Sequence, residues 1–492
     1  MKKEVKVLER FLYDIWKEKK FVKVLINRDG ENIEIIEPGN ENKDSGGPDF
    51  RNAKIKIGNI TYSGDVEIDI NYSDWKAHGH NYNKRYNSVI LHLSINNFEK
   101  EPYVYTVQRR KIHSILLTDY LKEELVKNIQ ASILSERNNR NYKLPCIGSN
   151  NEIIESEKLN YIYDLGKKRF NKKKEAFFNR LKELVYFDEL NIKEPIINYD
   201  FDESFYNRTF FQKDFSNKKI WLQLLYESIF EALGYSKNKD IMKALAKSAD
   251  INFLNSLNFD DLISALEAVL FNISGLMPDV QNLPDEETSA YTKKLFEIWN
   301  KIKPYYDNRT FNSAQWHFFR LRPRNFPTIR IAGGVRIIYR LIKKNLVGQV
   351  IEIISLGKTH NQMVRDLRSL FIVKGEGFWT KHFVFDQPAV SPMDYFIGES
   401  RSDEIIINIV LPIFSLYFEL FRQRELSIKV IKLYLNFYQR NENNLVNQVA
   451  NTLQLNDVWK RSVLYQGFIE LYRTYCSQEK CLECLIGKKI FN

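Results

Sequence analysis

Four carboxylates near the start of the chain have types and spacing that could do chemistry. Asp49 sits in Gly46-Gly47-Pro48-Asp49-Phe50, and Asp65, Glu67 and Asp69 alternate in Gly64-Asp65-Val66-Glu67-Ile68-Asp69. Alternate residues of a strand point to one face, so the alternation predicts an acidic row that an acid on the preceding turn can join. Carboxylate oxygens arranged in this way suit Mg²⁺ or Mn²⁺, and such a cation activates water and stabilises charge on an attacked phosphate. Asp49 also has a plainer reading as a turn residue that accepts backbone hydrogen bonds. Glu67 is harder to explain plainly, because an unpaired carboxylate among apolar neighbours in a central strand is costly. His78 and His80 form a His-x-His beside Asp74, a pattern that serves metal ligation, surface exposure or capping. His92 lies inside an apolar strand-like run and reads as a satisfied sheet-face histidine.

The chain has four cysteines. Cys476, Cys481 and Cys484 follow the pattern C-x₄-C-x₂-C, and Cys146 is the remaining thiol available as a fourth ligand. Thiolates at this spacing suit tetrahedral Zn²⁺ or an iron–sulfur cluster, and ordinary unligated thiols are the alternative. If a metal binds, it clamps the C-terminal segment near residue 146. A third group lies between Trp316 and Arg330, where Arg320, Arg322, Arg324 and Arg330 interleave with Trp316, Phe318, Phe319 and Phe326. Guanidinium groups pair with phosphate and aromatic faces stack on bases, so the segment could bind nucleic acid. The alternative is core packing, which is favoured for the aromatics.

The elements that must position these groups follow from periodicity. Residues 5–20 carry apolar positions at helical spacing, followed by strand-like runs at Ile33–Ile36, Lys54–Tyr62 (broken at Gly58-Asn59), Val66–Tyr72 and Ser88–Ile95. Tyr103–Val107 is extended, and Leu116–Glu136 is expected to be helical. The first 150 or so residues thus read as an α/β domain with a mixed sheet flanked by helices. Residues 151–492 read as mostly helical, with helices expected at Leu159–Val185, Ile220–Leu233, Ile241–Ser248, Phe259–Phe271, Glu404–Arg422, Leu426–Gln439 and Tyr465–Tyr475. A chain of 492 residues exceeds one core's usual limit, so two or three domains are expected. The net charge of +11 favours an acidic partner, nucleic acid before membrane surface, although abundant Lys, Asn and Ile also fit a compositional bias. No apolar run reaches the roughly 20 residues of a spanning helix, so the chain is expected to be cytoplasmic with reduced cysteines.

The segments Ile36-Glu37-Pro38-Gly39, Gly47-Pro48-Asp49-Phe50, Val66-Glu67-Ile68, Ser73-Asp74-Trp75, His78-Gly79-His80, Leu321 to Arg330 and Cys481-Leu482-Glu483-Cys484 together resemble a bacterial family of unknown function, the one numbered 2851. That resemblance brings no activity with it. The N-terminal third is also similar in layout to the PD-(D/E)XK, or restriction-endonuclease-like, nuclease superfamily, whose core runs helix, three strands, helix, strand. Pro48-Asp49 would open the second core strand, and Glu67-Ile68-Asp69 would stand where the superfamily has Glu-x-Lys. The resemblance implies a Mg²⁺ or Mn²⁺ site with Asp49 and Glu67 as ligands. Asp69 departs from the pattern by replacing the lysine, a place where the unknown-function family tends to show His. The resemblance then assigns Asp69 as an auxiliary acid and leaves the water-positioning role to Lys54, Lys56 or His78. Two expectations result. One is a divalent-metal-dependent nuclease or nuclease-like nucleic-acid-binding protein; the other is a non-catalytic interaction or scaffold protein with a structural cysteine metal site.

Overall fold

The computed structural model describes residues 12–121, 146, 150, 153–281, 288–439, 443–455 and 460–491, apart from 14, 28, 43–45, 97–102, 193–200, 202, 319–320, 390 and 479. It divides into two compact units, Met1–Arg140 with Ala314–Pro327, and Asn141–Ser313 with Thr328–Asn492.

The first unit is built on a mixed sheet of β1 (Leu25–Ile26), β2 (Asn32–Glu37), β3 (Asn40–Glu41), β4 (Phe50–Ile57), β5 (Ile60–Asn71), β6 (Val89–Asn96), β7 (Tyr103–Tyr105) and β8 (Lys111–Leu116). The strand order is β1-β2-β4-β5-β6-β8-β7, with β3 paired to β4. Pairing is antiparallel from β1 to β5, parallel for β5-β6 and β6-β8, and antiparallel for β7-β8. The expected strand Lys54–Tyr62 is two strands. Gly58 takes φ +57° in a two-residue turn, so the chain reverses and Ile57 pairs with Ile60. The second of these strands then runs on through the expected Val66–Tyr72 strand as β5. The expected helix Leu116–Glu136 begins instead as the end of β8 and a 3₁₀ turn at Leu117–Tyr120, and residues 122–136 lie outside the described residues. His113 to Leu116 pair with β6, so strand pairing takes in Leu116, the first residue of the expected helix.

One face of the sheet packs on the helical residues 12, 13 and 15–17, with Trp16, Phe50, Ile55, Val66 and Leu91 in a shared core. The segment after β5 supplies a smaller apolar cluster of Tyr72, Trp75, Tyr86, Val89, Val104 and Ile112. It contains α1 (Asp74–Ala77) and 3₁₀ turns at His80–Tyr82 and Lys84–Tyr86. Trp75 is fully buried and donates its Nε1–H to the Tyr105 carbonyl at 3.0 Å, anchoring the segment to β7.

The second unit is mostly helical. Its longest element is α2 (Glu155–Glu189), and the others used below are α3 (Lys218–Leu233), α4 (Leu411–Leu420), α5 (Ser462–Thr474) and α6 (Leu485–Phe491). Gly166 on α2 and Gly467 on α5 let these two helices approach closely, since a Cβ at Gly166 would lie 1.9 Å from the Val463 carbonyl oxygen. A π-helical turn, Ile406–Val410, runs into α4, so the expected helix Glu404–Arg422 is irregular in its first half. No helix among the described residues is long and apolar enough to cross a membrane.

Candidate functional site

The parallel pairing of β5 with β6 sets Glu67 opposite His92 and Asp69 opposite Ser94, while β8 sets Ser114 opposite His92. Glu67 and Asp69 are almost wholly buried, and His80 and His92 are fully buried. His78 Nδ1 lies 3.2 Å from Asp69 Oδ1, and His92 Nε2 lies 3.2 Å from Asp69 Oδ2. His80 Nε2 lies 3.2 Å from Glu67 Oε1 and 3.7 Å from Asp69 Oδ2. The Ser114 hydroxyl sits 2.8 Å from His92 Nδ1 and fixes that ring from behind.

Trp75 meets the His80 and His92 rings edge-on at 5.2 and 5.3 Å, and Tyr86 lies 4.1 Å from the His80 ring. Both histidines therefore stand in an aromatic cage. Gly79 makes the His-x-His geometry feasible: it takes φ +77°, and a Cβ there would fall 2.7 Å from the Phe326 ring. Phe326 and Phe318 belong to this unit and pack under the same loop, with Tyr82 5.7 Å from the Phe326 ring.

Asp49 braces the cluster. Its N–H donates to Glu67 Oε2 at 3.0 Å, its Oδ2 accepts the Ile68 N–H at 3.0 Å, and its Oδ1 accepts the Tyr13 hydroxyl. Both of its carboxylate oxygens are thus engaged. Asp65 leaves the expected acidic row, because the β5-β6 register shifts between Asp65 and Val66. Its carboxylate instead accepts the Asn52 N–H at 3.0 Å and the Ser88 hydroxyl. Asp74 accepts the Asn71 backbone and side-chain N–H groups at 3.0 and 2.9 Å, so it shapes the turn before α1.

Lys54 and Lys56 do not reach this cluster. They pair with Ser63 and Thr61, four and six positions before Glu67 on β5, or roughly 13 and 20 Å along the strand. Lys54 is also exposed. The sequence expectation placed Lys54, Lys56 and His78 as assistants, and His78 is the one found at the cluster. His80 and His92 have a larger share in it than the sequence suggested. The available signal was the parallel register, which pairs a buried strand histidine with a buried strand glutamate.

Burial drives the electrostatics. It pushes the Glu67 carboxyl up to about 8, with the Asp49 carboxylate adding to the effect. Burial alone would also hold the Asp69 carboxyl up, but hydrogen bonds from His78 and His92 and the nearby His80 imidazole outweigh it and place Asp69 well below the usual carboxylate range. For His80, burial works against the charged ring, yet Glu67 and Asp69 overcome it and raise the imidazole to about 9. Without a cation the cluster therefore stores protons on Glu67 and His80 around the Asp69 anion at neutral pH. Asp69, His78 and His80 each offer a ligand atom, and these atoms lie within 4.8 Å of one another. One carboxylate and two imidazoles form a donor set suited to a first-row divalent cation.

The other expected groups are elsewhere. Arg322 and Arg324 are exposed, and Arg320 lies outside the described residues. Arg330 is buried in the second unit, donating to the Phe396 carbonyl at 2.6 Å and the Tyr235 hydroxyl at 2.7 Å, so it is a packing residue and not a phosphate contact. Trp316, Phe318 and Phe326 are buried as core, and Phe319 lies outside the described residues.

The four cysteines line one cavity of about 20 Å³ in the second unit, and all are free thiols. Cys476 and Cys481 stand in 3₁₀ turns at Cys476–Gln478 and Cys481–Glu483, and Cys484 immediately precedes α6. Gly487 lets α6 sit close on this turn, because a Cβ there would lie 2.0 Å from the Cys481 carbonyl oxygen. Asn150 secures Cys146 by donating from Nδ2 to the Cys146 and Thr452 carbonyls, each at 2.8 Å, and Lys158 Nζ donates to Asn150 Oδ1 at 2.7 Å. Burial, together with the three neighbouring sulfurs, pushes the Cys476 thiol up to about 12.

The profile of a family described as a protein of unknown function (DUF2851) matches residues 9–189 and 208–444. The chain belongs to the DUF2851 family. The match spans the carboxylate–histidine cluster and Cys146 and stops before the other three cysteines. No curated protein and no solved structure matches the chain.

Proposed function

We propose that this DUF2851 chain is a divalent-metal-dependent phosphodiesterase of nuclease type, with its reaction centre at Glu67, Asp69, His78 and His80. The observation that carries the reading is the convergence of the Asp69, His78 and His80 donor atoms beside the buried Glu67 carboxylate. The order of elements supports it: helical residues 12, 13 and 15–17, then β2, β4 and β5, then the helical segment 74–86 and β6. With the two-residue strands β1 and β3 set aside, this resembles the helix, three strands, helix, strand order of the nuclease superfamily, with Asp49 just before the second of these strands and Glu67 on the third. Asp69, His78 and His80 would hold the cation. Two imidazoles favour Mn²⁺ over Mg²⁺, which prefers oxygen ligands.

When bound, the cation would lower the pKa of a water and neutralise charge on the phosphate. Glu67, held by the Asp49 N–H, is the carboxylate beside the ligands that would accept the water's proton once the cation has displaced its own. Asp49 orients Glu67, and His92 with Ser114 orients Asp69. The test is cleavage of mixed single- and double-stranded DNA and RNA with Mn²⁺ or Mg²⁺, comparing wild type with Glu67→Gln and Asp69→Asn. Equal cleavage by wild type and both variants would refute the assignment.

A second reading is favoured by a separate observation, the meeting of the four thiols in one cavity of the second unit. It is a non-catalytic interaction or scaffold protein whose structural metal, Zn²⁺ or an iron–sulfur cluster, is held at Cys146, Cys476, Cys481 and Cys484. Metal analysis of anaerobically purified protein, with Cys476→Ser as control, tests that site. Bound metal there with no cleavage of any substrate selects this reading.

A further inference from the structure

The second unit contains a cavity of about 510 Å³ between α2, α3, the π-helical turn and α5. This volume lies in the range of small-molecule sites. Its wall is rich in charge, but most of the charge is already compensated. Arg180 pairs with Glu227, Lys243 with Glu231 at 2.9 Å, and Arg401 with Glu404. Arg169 donates to Gln466 at 2.8 Å and meets Glu470 at 3.3 Å. Among the described residues, Lys173 and Arg473 have no carboxylate within ion-pair distance. Lys173 instead donates to the Asn408 side-chain oxygen, and Asn408 belongs to the π-helical turn.

That turn is the second independent sign of a built site. A π-helical turn gives up regular hydrogen bonding and recurs at functional positions. Here it carries Asn408 to the cavity wall opposite Lys173. Burial, with Arg169 and Arg473 nearby, drives the Lys173 ammonium well below its ordinary pKa. Lys173 and Arg473 thus bring two basic groups to this wall with no carboxylate of their own beside the already paired Arg169, and an anion would supply the missing partner.

We propose that this cavity binds a phosphate-bearing small molecule, with Lys173, Arg169 and Arg473 holding the phosphates and Asn408 orienting Lys173. Guanidinium pairs match phosphate oxygens bidentately, and a lysine adds a point charge at close range. The site is independent of the Glu67 and Asp69 cluster, so loss of cleavage activity does not bear on it.

The test is calorimetric titration of the full chain with inorganic pyrophosphate at low ionic strength. Wild type is expected to show saturable binding at one site. Lys173→Met, which keeps the aliphatic stem and removes the charge, should weaken binding by at least about tenfold, one charge-assisted contact's worth. The exposed variant Lys167→Met should leave binding unchanged. Arg473→Met, at an exposed position, gives the same test if Lys173→Met does not fold. Absence of saturable binding, or equal binding by wild type and both cavity variants, would overturn the proposal. So would Lys173-dependent binding of a single-stranded oligonucleotide without binding of pyrophosphate, since that makes the cavity a nucleic-acid contact.

Discussion

The carboxylate–histidine cluster and the cysteine cluster both gather potential ligands, but they are assembled in different ways. In the first unit Glu67, Asp69, His78, His80 and His92 come from one stretch of chain, and strand register and a short helical segment bring them together. In the second unit Cys146 meets Cys476, Cys481 and Cys484 only through long-range packing, with Asn150 and Lys158 tying residue 146 to the Thr452 and Leu453 carbonyls. In the first cluster each carboxylate already meets N–H, O–H or imidazole groups without metal. The second has thiols facing a small cavity, with burial opposing the ionisation of Cys146 and Cys476. A cation would therefore displace protons and adjust existing contacts in the first, but would complete the packing of the second.

The sharpest way to break this contrast is at the proposed reaction centre. Glu67→Gln or Asp69→Asn should lower metal-dependent cleavage by about 100-fold or more, the usual range for a general base or a positioned ligand. Their circular dichroism should stay native. A drop confined to Cys476→Ser would move the chemistry to the other cluster. That variant should instead release bound metal and lower the melting temperature by roughly 3–4 °C, as a loss of about 2–3 kcal/mol does in a unit of this size. Metal content and a thermal melt, read together, check it.

Gly79→Ala should cost about 1–3 kcal/mol, because a left-handed backbone is strained for alanine and its Cβ would strike the Phe326 ring. Urea denaturation measures the loss. Asn at the same position should be milder on φ grounds yet still clash with the ring.

The pH response of the metal-free protein is a finer probe. Glu67 and His80 both bind protons more tightly when folded, with values of about 8 against 4.5 and about 9 against 6.5. Each contributes stability that is present below its unfolded value and is lost as pH rises through its folded value. The contribution of these two groups to the urea midpoint in the presence of chelator should therefore fall from about pH 4.5 to 9, most steeply between 6.5 and 8 where both act. Glu67→Gln or His80→Gln should flatten the slope. Added Mn²⁺ should shift the fall to lower proton dependence, as bound cation replaces the stored protons. The smallest effect belongs to Lys54→Ala, which should leave cleavage within about twofold of wild type, as a surface change distant from the site does.

Much of the secondary structure could be read along the chain, since strong local periodicity survives folding. The helices Glu155–Glu189 and Lys218–Leu233 contain their expected spans, and Gly234 follows the second as anticipated. The Gly58 turn shows where periodicity fails: a continuous β-prone run reverses because one glycine takes φ +57°. Leu116 shows a second failure, where pairing with β6 takes the first residue of the expected helix into a strand.

By itself the sequence determined the ingredients: a carboxylate-bearing strand, a His-x-His with a central glycine, and four thiols of which three are close-spaced. Those are local patterns, and side-chain type and spacing suffice to state them. Tertiary structure alone decided which acids meet. Asp65 is turned aside by a register shift, Asp49 spends its oxygens on Tyr13 and Ile68, and Lys54 and Lys56 sit several residues along the strand from Glu67. It alone brought His92 opposite Glu67 and Cys146 to the C-terminal thiols. The physical reason is that strand register and helix packing are fixed by the whole set of apolar contacts in each unit, which no single stretch of chain contains.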